Sequence, residues 1–91
     1  MRLKFRLGQL VATPGALDAL KEASTGFLPY VSRHLEGDWG EISPEDAAEN
    51  ELSLREGFRL LSAYKLPTGC KIWLITEADR SATTILLPEE Y

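Results

Sequence analysis

The chain has 91 residues, of which 44% are hydrophobic and 26% charged, and its formal net charge is −4. This length and composition are typical of one folded domain, residues 1–91, and argue against global disorder. The sequence has no apolar run of about 20 residues, which a membrane-spanning helix needs, and no signal-peptide pattern. Because Cys70 is the only cysteine, we expect no internal disulfide, and we predict a cytoplasmic protein.

The first third of the chain predicts one strand and two short helices. Residues 4–11 alternate apolar and polar side chains, as a half-buried strand does. Thr13 and Pro14 then predict a helix start, because Thr caps free N–H groups and Pro needs no N–H there. A second helix is expected to begin near Pro29 and to stop at Gly37.

Ser43 and Pro44 repeat the helix-start signal in the middle of the chain. The helical segment that follows can be one helix or two short ones, because Asn50 could cap a new turn within it. Gly57 is a natural end for this segment.

The last third predicts a three-stranded antiparallel meander. Strand-forming residues occupy 58–66, 70–76 and 82–87, with turn residues at 67–69 and 78–81, and Pro88 ends the last strand. The expected fold class is therefore α+β, with two to three short helices packed on one face of the sheet. Both faces of the middle strand carry large apolar side chains, so its outer face needs a partner, the first strand or the C-terminal tail as cover.

An acidic stretch runs from Glu36 to Glu51 and contains seven acidic residues and no basic one. Such a stretch repels phosphate backbones and therefore disfavours direct nucleic-acid binding. It is interpreted as a solvated surface, or alternatively as a docking surface for a basic partner or a weak nucleic-acid mimic.

His34, Asp38 and Trp39 form the first group of candidate binding residues. His34 is the only histidine, which leaves no basis for a histidine-rich zinc site, and no metal or cofactor is expected. His34 is interpreted as a partly exposed helix residue, although a contact with Asp38 four residues on is open to it if the helix continues. Trp39 lies between two glycines in residues 37–40, where it can pin the loop to the core or stand exposed as a binding hot spot.

Asp79 and Arg80 form the second group, in the turn between the last two predicted strands. Asp79 suits a turn hydrogen bond with its own backbone, and Arg80 is expected to pair with an acid. The same two residues could also contact a ligand, which is the sharper interpretation of this turn.

Several segments together resemble a family of uncharacterised small bacterial proteins described as plasmid-related and found on plasmids and other mobile elements. They are VATPGAL at 11–17, Arg33 with His34, GDWG at 37–40, GFRLLSAY at 57–64, and IWLITEADRS at 72–81 running into the end of the chain. Some members are labelled as type I restriction modification subunits, a label that this short chain does not support because it has no methyltransferase cofactor loop. The resemblance covers nearly the whole chain and implies a cytoplasmic accessory role in mobile elements, without any catalytic residue.

Three functions follow as hypotheses. The first is a non-enzymatic protein-binding or regulatory module. Its surface would combine the 37–40 loop, the acidic stretch after it and the 77–81 turn, with contacts from Trp39, Asp38, Asp79 and Arg80. The second is a small hydrolase or nuclease-like toxin that uses His34, Asp38, Asp79 and Arg80. The third is a structural dimer module inside a larger mobile-element assembly, which associates through the outer sheet face around Trp73 and Ile75. Across these hypotheses we expect a monomer or a homodimer.

Overall fold

Four strands form one mixed sheet in the computed structural model, which describes residues 3–91. The strands are β1 (Gln9–Ala12), β2 (Leu60–Lys65), β3 (Lys71–Thr76) and β4 (Ala82–Leu86), and their order in the sheet is β1-β4-β3-β2. The predicted meander is confirmed, because β2, β3 and β4 pair antiparallel. The sheet as a whole is mixed, because β1 pairs in parallel with β4 at the opposite edge from β2.

The first strand is shorter than predicted. Residues 4–8 do not belong to it, and the chain turns at Gly8, which has a φ of +67°. A Cβ atom at this position would lie 2.4 Å from the carbonyl oxygen of Arg80, so only glycine fits the close approach. The N-terminal segment (residues 3–8) instead crosses the end of the second helix, where the Lys4 N–H donates to the Leu35 carbonyl at 2.9 Å.

Three helices begin and end where local signals predict. They are α1 (Pro14–Glu22), α2 (Leu28–Leu35) and α3 (Pro44–Glu56). The Thr13 hydroxyl accepts from the Ala16 N–H at 3.1 Å, and the Ser43 hydroxyl accepts from the Asp46 N–H at 3.0 Å. Of the two alternatives left open for the middle of the chain, the structure has one continuous helix.

The hydrophobic core lies between the inner sheet face and the first two helices. Its buried members come from α1, α2, the strands and the loop after β2: Ala16, Ala19, Leu20, Tyr30, Val31, Tyr64, Leu66, Ile72, Leu74 and Ile85. The α+β class is thereby confirmed, with the α1 and α2 helices packed on one face.

The third helix lies beside the edge of β2, and the residues it buries are polar. Asn50 and Ser53 are its buried members. The Asn50 amide donates to the Leu61 carbonyl at 2.7 Å and accepts from the Leu61 N–H at 3.0 Å. The Asn50 side chain therefore satisfies backbone groups that an edge strand would otherwise expose.

The outer sheet face is partly covered by the C-terminal tail. A short 3-10 helix, Pro88–Glu90, follows β4 and brings the Tyr91 ring to 5.7 Å from the Trp73 ring. The Tyr91 hydroxyl accepts a hydrogen bond from Arg59 at 3.1 Å. Three kinds of cover were expected for this face: a partner, the first strand or the C-terminal tail. The C-terminal tail is the one that contacts Trp73.

Within residues 3–91, no helix has the length and apolar character needed to cross a membrane.

Candidate functional site

A buried chain of hydrogen bonds runs across the inner face of the sheet and includes His34 of α2. Nδ1 of His34 lies 2.5 Å from the Ser62 hydroxyl, and Nε2 lies 2.8 Å from the Thr76 hydroxyl. The Thr76 hydroxyl lies 2.7 Å from the Thr83 hydroxyl, which donates to the Leu7 carbonyl at 2.7 Å. One side chain from each of β2, β3 and β4 is thus tied to α2 and to the N-terminal segment.

The direction of this hydrogen-bond chain follows from its last acceptor. A backbone carbonyl such as that of Leu7 can only accept, so Thr83 donates to it, Thr76 donates to Thr83, and His34 donates from Nε2 to Thr76. The directions therefore put a proton on Nε2 of His34. In a neutral ring, Nδ1 is then the acceptor for the Ser62 hydroxyl.

Burial and a nearby cation both disfavour a charged His34. The side chain is 0% exposed. Burial, and secondly the positive charge of Arg80, lower the pKa of His34 to about 4. The expectation of a partly exposed histidine is therefore wrong, and the predicted contact with Asp38 does not form, because α2 ends at Leu35.

Aromatic rings surround the His34 imidazole. The Phe5 ring centroid lies 5.1 Å from that of His34 in an edge-on arrangement, and the Trp39 ring lies 5.8 Å away, also edge-on. Phe5 and Trp39 stack on each other at 6.3 Å. These contacts enclose the imidazole on the side of the N-terminal segment.

Two roles were predicted for Trp39, and the structure shows the structural one, in which its side chain is buried and holds the loop. It is 7% exposed, and its indole N–H donates to the Glu51 carboxylate of α3 at 3.0 Å. Its backbone carbonyl accepts from the Ala63 N–H at 3.0 Å, which fastens the 37–40 loop to the edge of β2. Gly40 allows this close pairing, because a Cβ atom there would lie 2.0 Å from the Ala63 carbonyl oxygen.

Asp38 pairs with a neighbouring cation at the surface. Its carboxylate accepts from Nε of Arg33 at 2.7 Å, and this bond, together with the positive charge, lowers the pKa of Asp38. The Arg33 guanidinium lies 4.5 Å above the Tyr64 ring, whose hydroxyl donates to the Asp38 carbonyl at 2.6 Å. Burial raises the pKa of Tyr64 to about 12, so its hydroxyl stays protonated.

Arg80 binds backbone carbonyls, whereas the sequence predicted an acidic partner. Its guanidinium donates to the carbonyls of Phe58 at 2.6 Å, Ser53 at 2.9 Å, and Glu77 and Ala78 at 3.2 Å each. The side chain thus joins the turn between β3 and β4 to the C-terminal end of α3, where a cation is electrostatically favoured.

Asp79 has the turn role predicted for it. Its carboxylate accepts from the Ser81 N–H at 3.0 Å, and hydrogen bonds with Ser81 lower its pKa. The side chain is exposed and makes the turn beside Arg80.

The structure therefore brings some of the candidate residues together. His34, Trp39 and Arg80 share Phe5 as a neighbour, since the Arg80 guanidinium lies 5.8 Å from the Phe5 ring. Asp38 pairs with Arg33 and Asp79 with its own turn. Sequence reasoning missed the polar partners of His34. The signal that could have found them is a hydroxyl residue in each of the three strands of the predicted meander: Ser62, Thr76 and Thr83.

The site as built suits structural support more than acid–base chemistry. Both imidazole nitrogens are hydrogen-bonded inside the protein, and no group of three or more His, Cys, Asp or Glu side chains within residues 3–91 is placed to hold a metal ion.

Comparison of the chain with protein-family models, curated proteins and solved structures found no match.

Proposed function

We propose that this domain is a non-enzymatic protein-binding or regulatory module whose contact surface is the outward side of α3. The observation that carries the proposal is an acidic surface formed by Glu41, Glu45, Asp46 and Glu49, all of them exposed. Within the described residues, Lys71 at 3.7 Å from Glu41 is the one cation in an ion pair with these four. The remaining three carboxylates offer their charge to solvent and to a partner.

The helix that carries the acidic surface is held firmly from behind. Asn50 binds the Leu61 backbone, Glu51 accepts from Trp39, and the Ser53 carbonyl accepts from Arg80. The 37–40 loop and the 77–81 turn, which the sequence predicted to be part of the binding surface, therefore support α3 in this proposal. A helix fixed in this way loses little conformational freedom when a partner binds.

The chemistry of the acidic surface favours a basic protein as partner. Leu52 is 37% exposed and follows Glu45 and Glu49 by seven and three residues, so the three share one helix face. Complementary charge speeds association and selects the partner, while an apolar group such as Leu52 contributes buried area. The same carboxylates repel a phosphate backbone.

We further propose a setting in the bacterial cytoplasm as an accessory of mobile elements, which the resemblance to the plasmid-related family supports. The alternative, a small hydrolase or nuclease-like toxin, needs His34, Asp38, Asp79 and Arg80 to face one open pocket. Each of these side chains instead makes internal contacts, and His34 is fully buried, so the geometry favours the binding module.

The test is affinity capture from a nuclease-treated bacterial lysate with the wild-type chain and two charge-matched variants. Glu45→Gln with Glu49→Gln removes two charges from the acidic surface, and Asp18→Asn with Glu22→Gln removes two from the exposed side of α1. We expect a basic protein that is captured by the wild type and by the α1 variant and lost with the α3 variant. Equal capture by all three proteins, or the absence of any specific protein captured by the wild type, would refute the proposal.

A further inference from the structure

A second surface feature lies along the N-terminal segment, whose Phe5 ring also contacts His34. It is a hollow of about 460 Å³. Its walls include four apolar side chains and two arginines: Leu3, Phe5, Leu7, Leu35, Arg6 and Arg80. A volume between about 300 and 1,000 Å³ is usual for small-molecule sites, and apolar walls with a few charged groups are their usual lining.

The charge of the hollow is opposite to that of the protein as a whole. The chain has 14 acidic and 10 basic residues, yet among residues 3–91 the lining contains two arginines and no carboxylate. Three other cations pair with acids, namely Arg33 with Asp38, Arg59 with Glu77 and Lys71 with Glu41. Within residues 3–91, Arg6 and Arg80 form no such ion pair.

Arg80 is fixed in position before any ligand arrives. Four backbone carbonyls hold its guanidinium, and the ring of Phe5 lies 5.8 Å from it. Carbonyl oxygens orient a guanidinium without neutralising it, so the charge remains available to an anion. Holding the group in advance reduces the entropy that a ligand would lose on binding.

We propose that this hollow binds a small amphiphilic anion, with a carboxylate or phosphate head group against Arg6 and Arg80. The apolar body of the ligand would lie against the Leu3, Phe5, Leu7 and Leu35 side chains. Guanidinium groups match planar carboxylate and phosphate oxygens, and the apolar walls select against a bare inorganic anion. This site does not depend on the acidic surface of α3, which has the opposite charge.

The test is a titration of the full chain followed by the backbone amide NMR signals of Gly8 and Leu35. The probes are octanoate, octyl phosphate and neutral octanol, which share one apolar body and differ in the head group. We expect saturable shifts with at least one of the two anions, and an affinity for it about tenfold or more above that for octanol. The anion with the higher affinity identifies the head group.

Two variant pairs separate the hollow from general charge and folding effects. Arg6→Gln is compared with Arg55→Gln, an exposed arginine outside the lining, and Leu3→Asp with Leu17→Asp, since Leu3 and Leu17 are 56% and 50% exposed. We expect Arg6→Gln to weaken anion binding about fivefold or more, and Leu3→Asp to abolish it, while both controls bind as the wild type does. If Leu3→Asp does not fold, the arginine pair decides. Equal affinity for octanol and the anions, absence of saturable shifts, or equal effects of Arg6→Gln and Arg55→Gln would overturn the proposal.

Discussion

His34 connects α2 with three strands and the N-terminal segment through side chains that are all buried. Its two ring nitrogens reach β2 and β3, and the hydroxyl of Thr83 extends the chain to the Leu7 carbonyl. Within residues 3–91, no buried side-chain nitrogen or oxygen lacks a hydrogen-bond partner. A buried polar network is stabilising only when it is fully satisfied, so protonation of His34 should disrupt it.

The first prediction concerns the pH dependence of stability. The pKa of His34 is about 4 in the folded state and about 6.5 in the unfolded state, so the unfolded state binds the proton more tightly. Stability is therefore expected to fall as the pH decreases through this interval, by about 3 kcal/mol for a shift of this size. Urea unfolding of the wild type and of His34→Gln, measured at several pH values, tests this.

The His34→Gln variant should be less stable at neutral pH and should lose less stability on acidification. The folded-state pKa values of Asp38, Asp79 and Glu90 are also lowered, and these groups add acid sensitivity at lower pH in both proteins. The difference between the two curves therefore isolates the histidine. If the stability of the two proteins falls in parallel with decreasing pH, the assignment of His34 as a neutral buried residue is contradicted.

The second prediction concerns Trp39, which the structure shows to be buried. Trp39→Ala removes the stacking on Phe5 and the hydrogen bond to Glu51, and we expect a loss of about 3–5 kcal/mol. Trp39→Phe keeps a ring and should lose about 1 kcal/mol through the missing N–H. Urea unfolding followed by circular dichroism gives both values.

Trp73→Ala is the matched control for Trp39→Ala. Trp73 lies on the outer face of β3, is only partly buried and contacts the exposed Tyr91, so its loss should cost less. An equal or larger cost for Trp73→Ala would contradict the prediction that the buried Trp39 contributes more to stability.

At the scale of elements, α3 is attached to the sheet by polar groups. Its buried residues are Asn50 and Ser53, and its C-terminal end is held by Arg80 from the turn between β3 and β4. The sequence predicted the ends of this helix correctly, because capping at Ser43 and Gly57 is a local property. Its position beside the edge of β2 depends on Asn50 meeting Leu61, a contact that no local pattern reveals.

The third prediction tests the attachment through Arg80. Arg80→Gln keeps the positive φ of 61° at this position and removes the guanidinium, so the comparison isolates the hydrogen bonds. We expect a loss of about 2 kcal/mol and faster hydrogen exchange at the Gly57 amide, which lies in the same helix end. The measurements are urea unfolding and exchange detected by NMR.

Arg55→Gln is the control for this experiment. Arg55 is exposed in the last turn of α3, and its replacement should change stability by less than about 0.5 kcal/mol. If Arg80→Gln behaves like Arg55→Gln, the contacts of Arg80 with the backbone carbonyls contribute nothing measurable.

At the scale of the whole molecule, the sequence predicted the α+β class and the meander but not the parallel pairing of β1. Alternation of apolar residues and turn chemistry define strands locally, whereas the neighbour of a strand is decided by long-range packing. Gly8 is an example of such a long-range requirement. It has a positive φ and lies close to the backbone of Arg80, 72 positions further along the chain.

The candidate site was predicted less completely than the fold. Ser62, Thr76 and Thr83 are unremarkable strand residues until the register of the sheet places them on its inner face. His34 was therefore expected at the surface, although its helix was predicted correctly. Asp79 was predicted from turn chemistry, which is local, and its turn role is observed.

The most direct test of the central claim, that His34 is a buried structural connector and not a catalytic base, is nitrogen NMR of its imidazole as a function of pH. We expect a neutral ring with the proton on Nε2 at neutral pH, and no titration until the pH approaches about 4. A ring that titrates near 6.5, or that carries its proton on Nδ1, would contradict the account.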